Sequence, residues 1–375
     1  MYIVLSGAKK NIGDFLITDR ARKLLSHFRP EHEHVQLPSW ENLEPHLEII
    51  NRSSAVIILG GPGFQPHFYP GVYKFVPDTS KIRVPIIPMG LGWKGEPGDF
   101  ATIRNYNFTS DSMTLLKRIS RESEFVSCRD YHTLEILKRN GIENALMTGC
   151  PVWYHLPSIN RKFYPPEKIR KLVYTPAQKH LFRDQSIDMA AMLRKKFPES
   201  ELFCCFHRGL NADDEFTPRS NEKNDNYIRN KVEKMGFTIV DGAWDLKNID
   251  FYNTCDLHVG YRVHAHLHFI SRRVPSLLIH EDGRGRGVSE SLNLMGIDGF
   301  QRRFFSSLIE KVPVHEISRA LRGVRDIIKA DTLSVGRTSM FLDNELENGF
   351  KRYTGFPVII DEHFNIMKKF INSLP

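Results

Sequence analysis

Short apolar runs that end in glycine recur along this chain, each followed by residues with apolar positions at helical spacing. Tyr2-Ile3-Val4-Leu5 opens the series; residues 7–13 make a loop, and residues 15–28 show the helical period. Ala55-Val56-Ile57-Ile58-Leu59 is apolar throughout, as expected of a strand buried on both faces of a parallel sheet, and it ends in Gly60-Gly61-Pro62-Gly63. Pro85-Ile86-Ile87-Pro88-Met89 closes in Gly90-Leu91-Gly92. Phe125-Val126-Ser127-Cys128 leads through Arg129-Asp130 into a helix over residues 131–139, which Asn140-Gly141 stops.

The second half repeats this grammar. Strands are predicted at residues 171–175, 201–206, 237–240, 257–259 and 275–279, with a helix over residues 187–197. Such alternation implies an α/β fold of two doubly wound parallel-sheet domains. The proline-rich, charged stretch 156–168 reads as a linker. The expected division is residues 1–160, then 169–330, then a helical tail over 331–375 that packs on the core. In open parallel sheets, ligand sites lie at the strand C-terminal ends, so two such domains are expected to face a shared cleft.

Length supports this division, because 375 residues exceed what one core usually organises. With 41% hydrophobic and 26% charged residues the composition is that of an ordinary globular chain. No apolar run reaches about 18 residues, so no spanning helix is expected. The N-terminus has no basic segment or small-residue cleavage site and reads as strand rather than signal peptide. Five cysteines at spacings that match no zinc motif are expected to be reduced, apolar residues. The net charge of +8 is dispersed, which argues against a nucleic-acid groove. It suits an anionic substrate, or a peripheral association with anionic lipid.

Candidate chemistry concentrates at the predicted strand ends. Val259-Gly260-Tyr261-Arg262-Val263-His264 places a fixed cation and an imidazole where a helix begins, and free N–H groups there favour an anion. His264, His266 and His268 are spread around the helix, so no metal site is expected. Asn11 and Asp14 sit in a glycine-bounded turn that matches no nucleotide motif, and Asp14 could equally cap a helix. Gly60 and Gly61 serve either a tight turn or a ligand. Arg129 precedes an aspartate that could cap the next helix, and His207-Arg208 follows another strand. Glu281-Asp282-Gly283-Arg284-Gly285-Arg286-Gly287 is either a charged flexible loop or a clamp whose two arginines hold an anion.

In order and spacing these pieces resemble the polysaccharide pyruvyl transferase family. The matching residues are Asn11-Ile12-Gly13-Asp14, Ile58-Leu59-Gly60-Gly61, Cys128-Arg129-Asp130 with Arg139-Asn140-Gly141-Ile142, Gly260-Tyr261-Arg262-Val263-His264 and Val274-Pro275. The resemblance spans roughly residues 1 to 295 and implies a fold like that of the two-domain GT-B glycosyltransferases. It also implies transfer of a pyruvyl group from phosphoenolpyruvate to two hydroxyls of a sugar, giving a cyclic ketal and phosphate. Phosphoenolpyruvate is then a co-substrate, and no cofactor is expected. Arg129, Arg262, His264, Arg284, Arg286 and His207 form the expected donor set, with His264 as general acid or phosphate partner. Asp14 or Glu281 would deprotonate the acceptor, and Asn11, Gly60 and Gly61 would line its side of the cleft. The family context implies a free or lipid-linked glycan acceptor, exopolysaccharide synthesis, and a cytoplasmic location at the inner membrane face. The chain departs from the family pattern in its stretched Lys9-Lys10 loop and in carrying both Arg284 and Arg286.

Two other readings fit the same residues. A GT-B-type glycosyltransferase would use a nucleotide sugar and needs a carboxylate on the ribose, for which Glu290 is the candidate. A glycan- or phospholipid-binding protein on a decayed scaffold would not need Arg262 and His264 together.

Overall fold

A computed structural model describes residues 1–213, 217–302 and 328–375. In the first half, strands β1 (Tyr2–Ser6), β2 (His34–Pro38), β3 (Ala55–Leu59) and β4 (Ile86–Met89) pair in parallel in the order β2-β1-β3-β4. Every residue of β1, β3 and β4 is buried, which accounts for their unbroken apolar runs. Burial of each leucine or isoleucine there contributes about 1.5 to 3 kcal/mol. Helices α1 (Ile12–Phe28), α2 (Leu47–Asn51), α3 (Phe100–Arg104), α4 (Ser110–Glu122) and α5 (Tyr131–Arg139) complete this half. A short parallel pair, β5 (Val126–Cys128) and β6 (Ala145–Met147), joins β4 through the bridge Leu91–Cys128.

The second half holds a six-stranded sheet, β12-β11-β10-β7-β8-β9, in which every pairing is parallel. Its strands are β7 (Lys171–Thr175), β8 (Glu201–Phe206), β9 (Thr238–Asp241), β10 (Leu257–Gly260), β11 (Ser276–His280) and β12 (Ile297–Asp298). Helices α6 (Arg183–Lys196), α7 (Arg219–Glu233), α8 (Val263–Ser271) and α9 (Gly283–Ser291) connect them. A small antiparallel pair, β13 (Phe300–Arg302) and β14 (Ile328–Ala330), follows. The expected second domain also included residues 303–327, which lie outside the described residues.

The expected strands all form. β2 and α7 were not legible in advance, because α7 buries only Asn224, Asp225, Ile228 and Val232 and has no continuous apolar stripe. The glycine-rich segment after β11 is helical rather than a flexible loop. Asp282 caps it by accepting the Arg284 N–H at 3.0 Å, and its glycines permit close packing. An added Cβ on Gly287 would lie 3.0 Å from the Asp130 carboxyl carbon, and one on Gly285 2.7 Å from the His280 ring. Tertiary contact therefore overrides the cost of about 1 kcal/mol that glycine carries in a helix.

Two further helices end the chain. Ser334–Glu347 packs on α6, whereas Phe356–Asn372 returns to α1 in the first half. There Phe364 lies 5.5 Å from Phe28, and the Tyr2 hydroxyl donates to the Pro375 carbonyl at 2.9 Å. One continuous cluster of buried apolar residues spans both halves, and a smaller one gathers Trp93, Ile103, Tyr106 and Ile136. Among the described residues no helix is long and apolar enough to cross a membrane. All five cysteines are buried and free.

Candidate active site

The C-terminal edges of the two sheets face each other across a cavity of about 240 Å³. Its lining comes from the loops after β1 (Asn11, Asp14), β3 (Pro62), β5 (Arg129), β7 (Gln178), β8 (His207, Arg208), β10 (Tyr261 to His264) and β11 (Glu281, Arg284). Two helix N-termini, those of α1 and α8, meet here, and neither is capped by a side chain. The dipoles of these two helices add to the field of four guanidinium groups, Arg129, Arg208, Arg262 and Arg284. The cavity is a cationic site lined by both halves.

Side-chain partners hold three of these guanidinium groups, those of Arg129, Arg262 and Arg284. Arg129 is 1% exposed; its Nε donates to Asp130 at 3.2 Å, and Asp130 in turn caps α5 through the Thr133 N–H at 2.7 Å. The guanidinium fits because residue 92 is glycine: an added Cβ would lie 2.4 Å from the Arg129 Cζ. Arg284 forks onto Asp282 through Nε and Nη2 at 2.9 and 2.8 Å. Burial pushes the Asp282 carboxyl up, but the Arg284 charge and hydrogen bonds outweigh it and hold the carboxyl at about 2. Arg262 Nη1 donates to the Gln178 amide oxygen, Oε1, at 3.1 Å. Glu281 Oε1 accepts the Gln178 and Lys179 N–H groups at 3.0 and 3.4 Å, which fixes the loop that carries Gln178.

His264 and Asp14 have the environments of proton-transfer groups. Burial, reinforced by Arg129, Arg284 and Arg262, pushes the His264 imidazole down to about 3, so it is neutral at pH 7. Its Nε2 is buried and meets no hydrogen-bond partner among the described residues. Such an orphan is costly unless a ligand satisfies it. Burial raises the Asp14 carboxyl, opposed by the Asn11 hydrogen bond of 3.0 Å and by Arg208, Arg262 and Arg284. Asp14 does not cap α1, because Asn11 occupies the cap position. His207 donates or accepts at the Tyr252 hydroxyl, 2.8 Å away, and burial holds it neutral.

The structure thus gathers Asn11, Asp14, Arg129, His207, Arg262, His264, Glu281 and Arg284 around one cavity. Gly60 and Gly61 line a neighbouring cavity of about 140 Å³ with Ser39, Gln65 and Tyr73, and Asp14 and Pro62 belong to both walls. Arg286 is not brought to this group. It pairs with Asp298, lies 5.0 Å from the Phe300 ring and lines a third cavity of about 710 Å³. Glu290 lines that third cavity too, 2.6 Å from His132. His266 meets Ser276 at 2.8 Å, and among the described residues no cluster of three His, Cys, Asp or Glu could hold a metal. Arg208 was noted beside His207 but left out of the expected donor set, and Gln178 was not anticipated from sequence. Arg208 adjoins a selected residue at a strand end, whereas Gln178 carries no sequence signal.

Comparison with solved structures agrees with the two-sheet architecture. The chain is similar to Staphylococcus aureus MnaA, solved with UDP, at 11% identity and a TM-score of 0.54, covering 99% of this chain and 96% of that one. It is also similar to the UDP-GlcNAc 2-epimerase of Neisseria meningitidis, solved with UDP-GlcNAc, at 8% identity and a TM-score of 0.50, covering 99% and 100%. At such identities the likeness establishes the fold, which is GT-B-like. No curated protein matches the chain in sequence. The polysaccharide pyruvyl transferase family model matches residues 11–282, a span that contains every residue of the cationic cavity except Arg284. With that match over most of its length, the chain is a transferase that belongs to the polysaccharide pyruvyl transferase family.

Proposed function

We propose that the protein transfers the pyruvyl group of phosphoenolpyruvate to two hydroxyls of a sugar in a cell-surface glycan or its lipid-linked precursor. The observation that carries this reading is the orphaned His264 Nε2 beside four guanidinium groups. Phosphoenolpyruvate brings a phosphate and a carboxylate, the two anions such a cavity suits. Arg262 and Arg129 hold these groups from opposite sides of the cleft, with Arg208, Arg284 and the two helix N-termini completing the charge.

Burial first, and then the guanidinium charges, hold His264 neutral; the bound anion offsets the guanidinium charges and so favours proton uptake as the donor binds. His264 then protonates the methylene carbon, and an oxocarbenium centre develops at C2. A sugar hydroxyl attacks C2 and loses its proton to Asp14. Departure of phosphate regenerates the cation, and the second hydroxyl closes the ketal with loss of its own proton. Each turnover consumes one phosphoenolpyruvate and two hydroxyls and releases phosphate, with no other cofactor. Asp14 suits the base role because its raised proton affinity matches the task and it faces both cavities. Glu281 is committed to two backbone N–H groups and serves to position Gln178. The acceptor occupies the neighbouring cavity lined by Gly60, Gly61 and the buried Tyr73.

Incubation with phosphoenolpyruvate and a panel of glycans, read as phosphate release and as product mass, tests the reading. Glycan-dependent phosphate with a ketal-bearing product is expected. Phosphate release without a ketal on any product would overturn it. A nucleotide-sugar transferase is the second reading, favoured by the UDP and UDP-GlcNAc carried by the structural neighbours. Its ribose candidate, Glu290, lines a different cavity from Arg262 and His264.

A further inference from the structure

Lys10 lies in the stretched loop after β1, yet its side chain is only 4% exposed. It leaves the first half and enters the second. There Nζ donates to the Asn211 carbonyl and to Asp213 Oδ2, each at 2.6 Å, and it lies 5.4 Å from the centre of the Trp244 ring. An ammonium has three donors and no acceptor, so a buried one requires several such partners. The backbone continues the seam: the Lys10 carbonyl accepts the Trp244 N–H, and the Ile12 N–H donates to the His207 carbonyl, both at 3.0 Å.

Residues 207–213 therefore form a strap with two roles along its length. Its start supplies His207 and Arg208 to the cationic cavity; its end is gripped by Lys10. The residue after Lys10 is Asn11, which opens α1 and lines the same cavity beside Asp14. Within its own half the strap is held by the Tyr252 hydroxyl on His207 and by Asp241, which accepts the Leu210 N–H at 3.2 Å.

We propose that Lys10 is a positioning residue that aligns Arg208 of the second half with Asn11 and Asp14 of the first on one bound anion. Lys10 touches no substrate and acts through the strap. The inference rests on the reading of the cationic cavity as the donor-phosphate site, and its test separates the two.

Lys10→Met keeps the aliphatic stem and removes the charge, while Lys10→Arg keeps the charge. Hydrogen exchange on the full chain is expected to rise across residues 207–213 in Lys10→Met and not in Lys10→Arg. Titration with phosphoenolpyruvate and with inorganic phosphate is expected to show about tenfold weaker binding in Lys10→Met, a change of 1.4 kcal/mol. Arg208→Ala, added to Lys10→Met, is expected to cost much less than in the wild-type background, since a misaligned Arg208 contributes little. The loss should appear in the donor KM more than in kcat, and Lys10→Arg should recover most of it. Unchanged exchange in the strap, or additive losses in the double variant, would overturn the proposal whatever the donor is. A wild-type protein that binds neither anion would overturn the donor reading and this alignment role with it, even if the strap loosens.

Discussion

The His264 imidazole fills the space that a side chain on Gly13 would occupy: an added Cβ there would lie 2.6 Å from His264 Nδ1. This contact joins the first turn of α1 to the first turn of α8 and so sets two helix N-termini on one cavity. It explains why a residue with no chemistry of its own stands inside the site. Gly13→Ala must push the imidazole aside, at about 1 to 3 kcal/mol. Turnover is expected to fall by about tenfold or more and the melting temperature by about a few degrees, as measured by phosphate release and thermal unfolding.

Proton uptake should accompany donor binding. Burial and the three nearby arginines hold the His264 imidazole at about 3, and a bound anion raises it. A group whose proton affinity rises on binding makes the complex tighter at low pH and weaker as pH climbs through its raised value. Calorimetry of phosphoenolpyruvate binding in buffers of different ionisation enthalpy is expected to show net uptake near pH 7. His264→Gln should lose the part of that uptake not due to the ligand itself.

The Arg284 fork onto Asp282 predicts a pH-dependent stability. Asp282 is 1% exposed and its carboxyl is held at about 2, so its stabilising contribution is present above the ordinary aspartate value near 3.8. That contribution is lost as pH falls from about 4 towards 2. Arg284→Ala leaves the buried carboxylate with only the Lys179 ammonium, 3.8 Å away, as a charged partner and is expected to cost about 3 kcal/mol at pH 7. Urea unfolding should show the deficit shrink when Asp282→Asn is added.

The cavity proposed for the acceptor gives a separate prediction. Tyr73 is 4% exposed, and its hydroxyl reaches so close over residue 63 that only glycine fits there. Tyr73→Phe removes one hydroxyl from the neighbouring cavity without touching the arginines. Its acceptor KM should rise about fivefold, near 1 kcal/mol, while phosphoenolpyruvate affinity stays at the wild-type value. Steady-state kinetics at saturating donor would show this, and a change confined to donor binding would contradict the placement.

The fold was legible because its strands are buried on both faces, and residues such as Ala55-Val56-Ile57-Ile58-Leu59 then form apolar runs that end in glycine. The main anion residues were legible for a related reason. Parallel sheets deliver strand ends to one edge, so Arg129, Arg262 and Glu281 could be anticipated as neighbours. What escaped depends on direction rather than position. Arg284 and Arg286 are two residues apart on α9 and face different cavities, a separation hidden while the glycine-rich segment read as a loop. Gln178 acts through Arg262 and Glu281, contacts that form only when loops after different strands converge. The seam at Lys10 was hidden for the same reason, since its partners lie some 200 residues away in the chain.

Calorimetric titration of the wild-type protein and Arg262→Ala with phosphoenolpyruvate, beside UDP- and CMP-sugars, tests the central claim most directly. The account predicts phosphoenolpyruvate binding that Arg262→Ala weakens by about 2 kcal/mol, roughly thirtyfold. Tight binding of a nucleotide sugar with no response to phosphoenolpyruvate would contradict it.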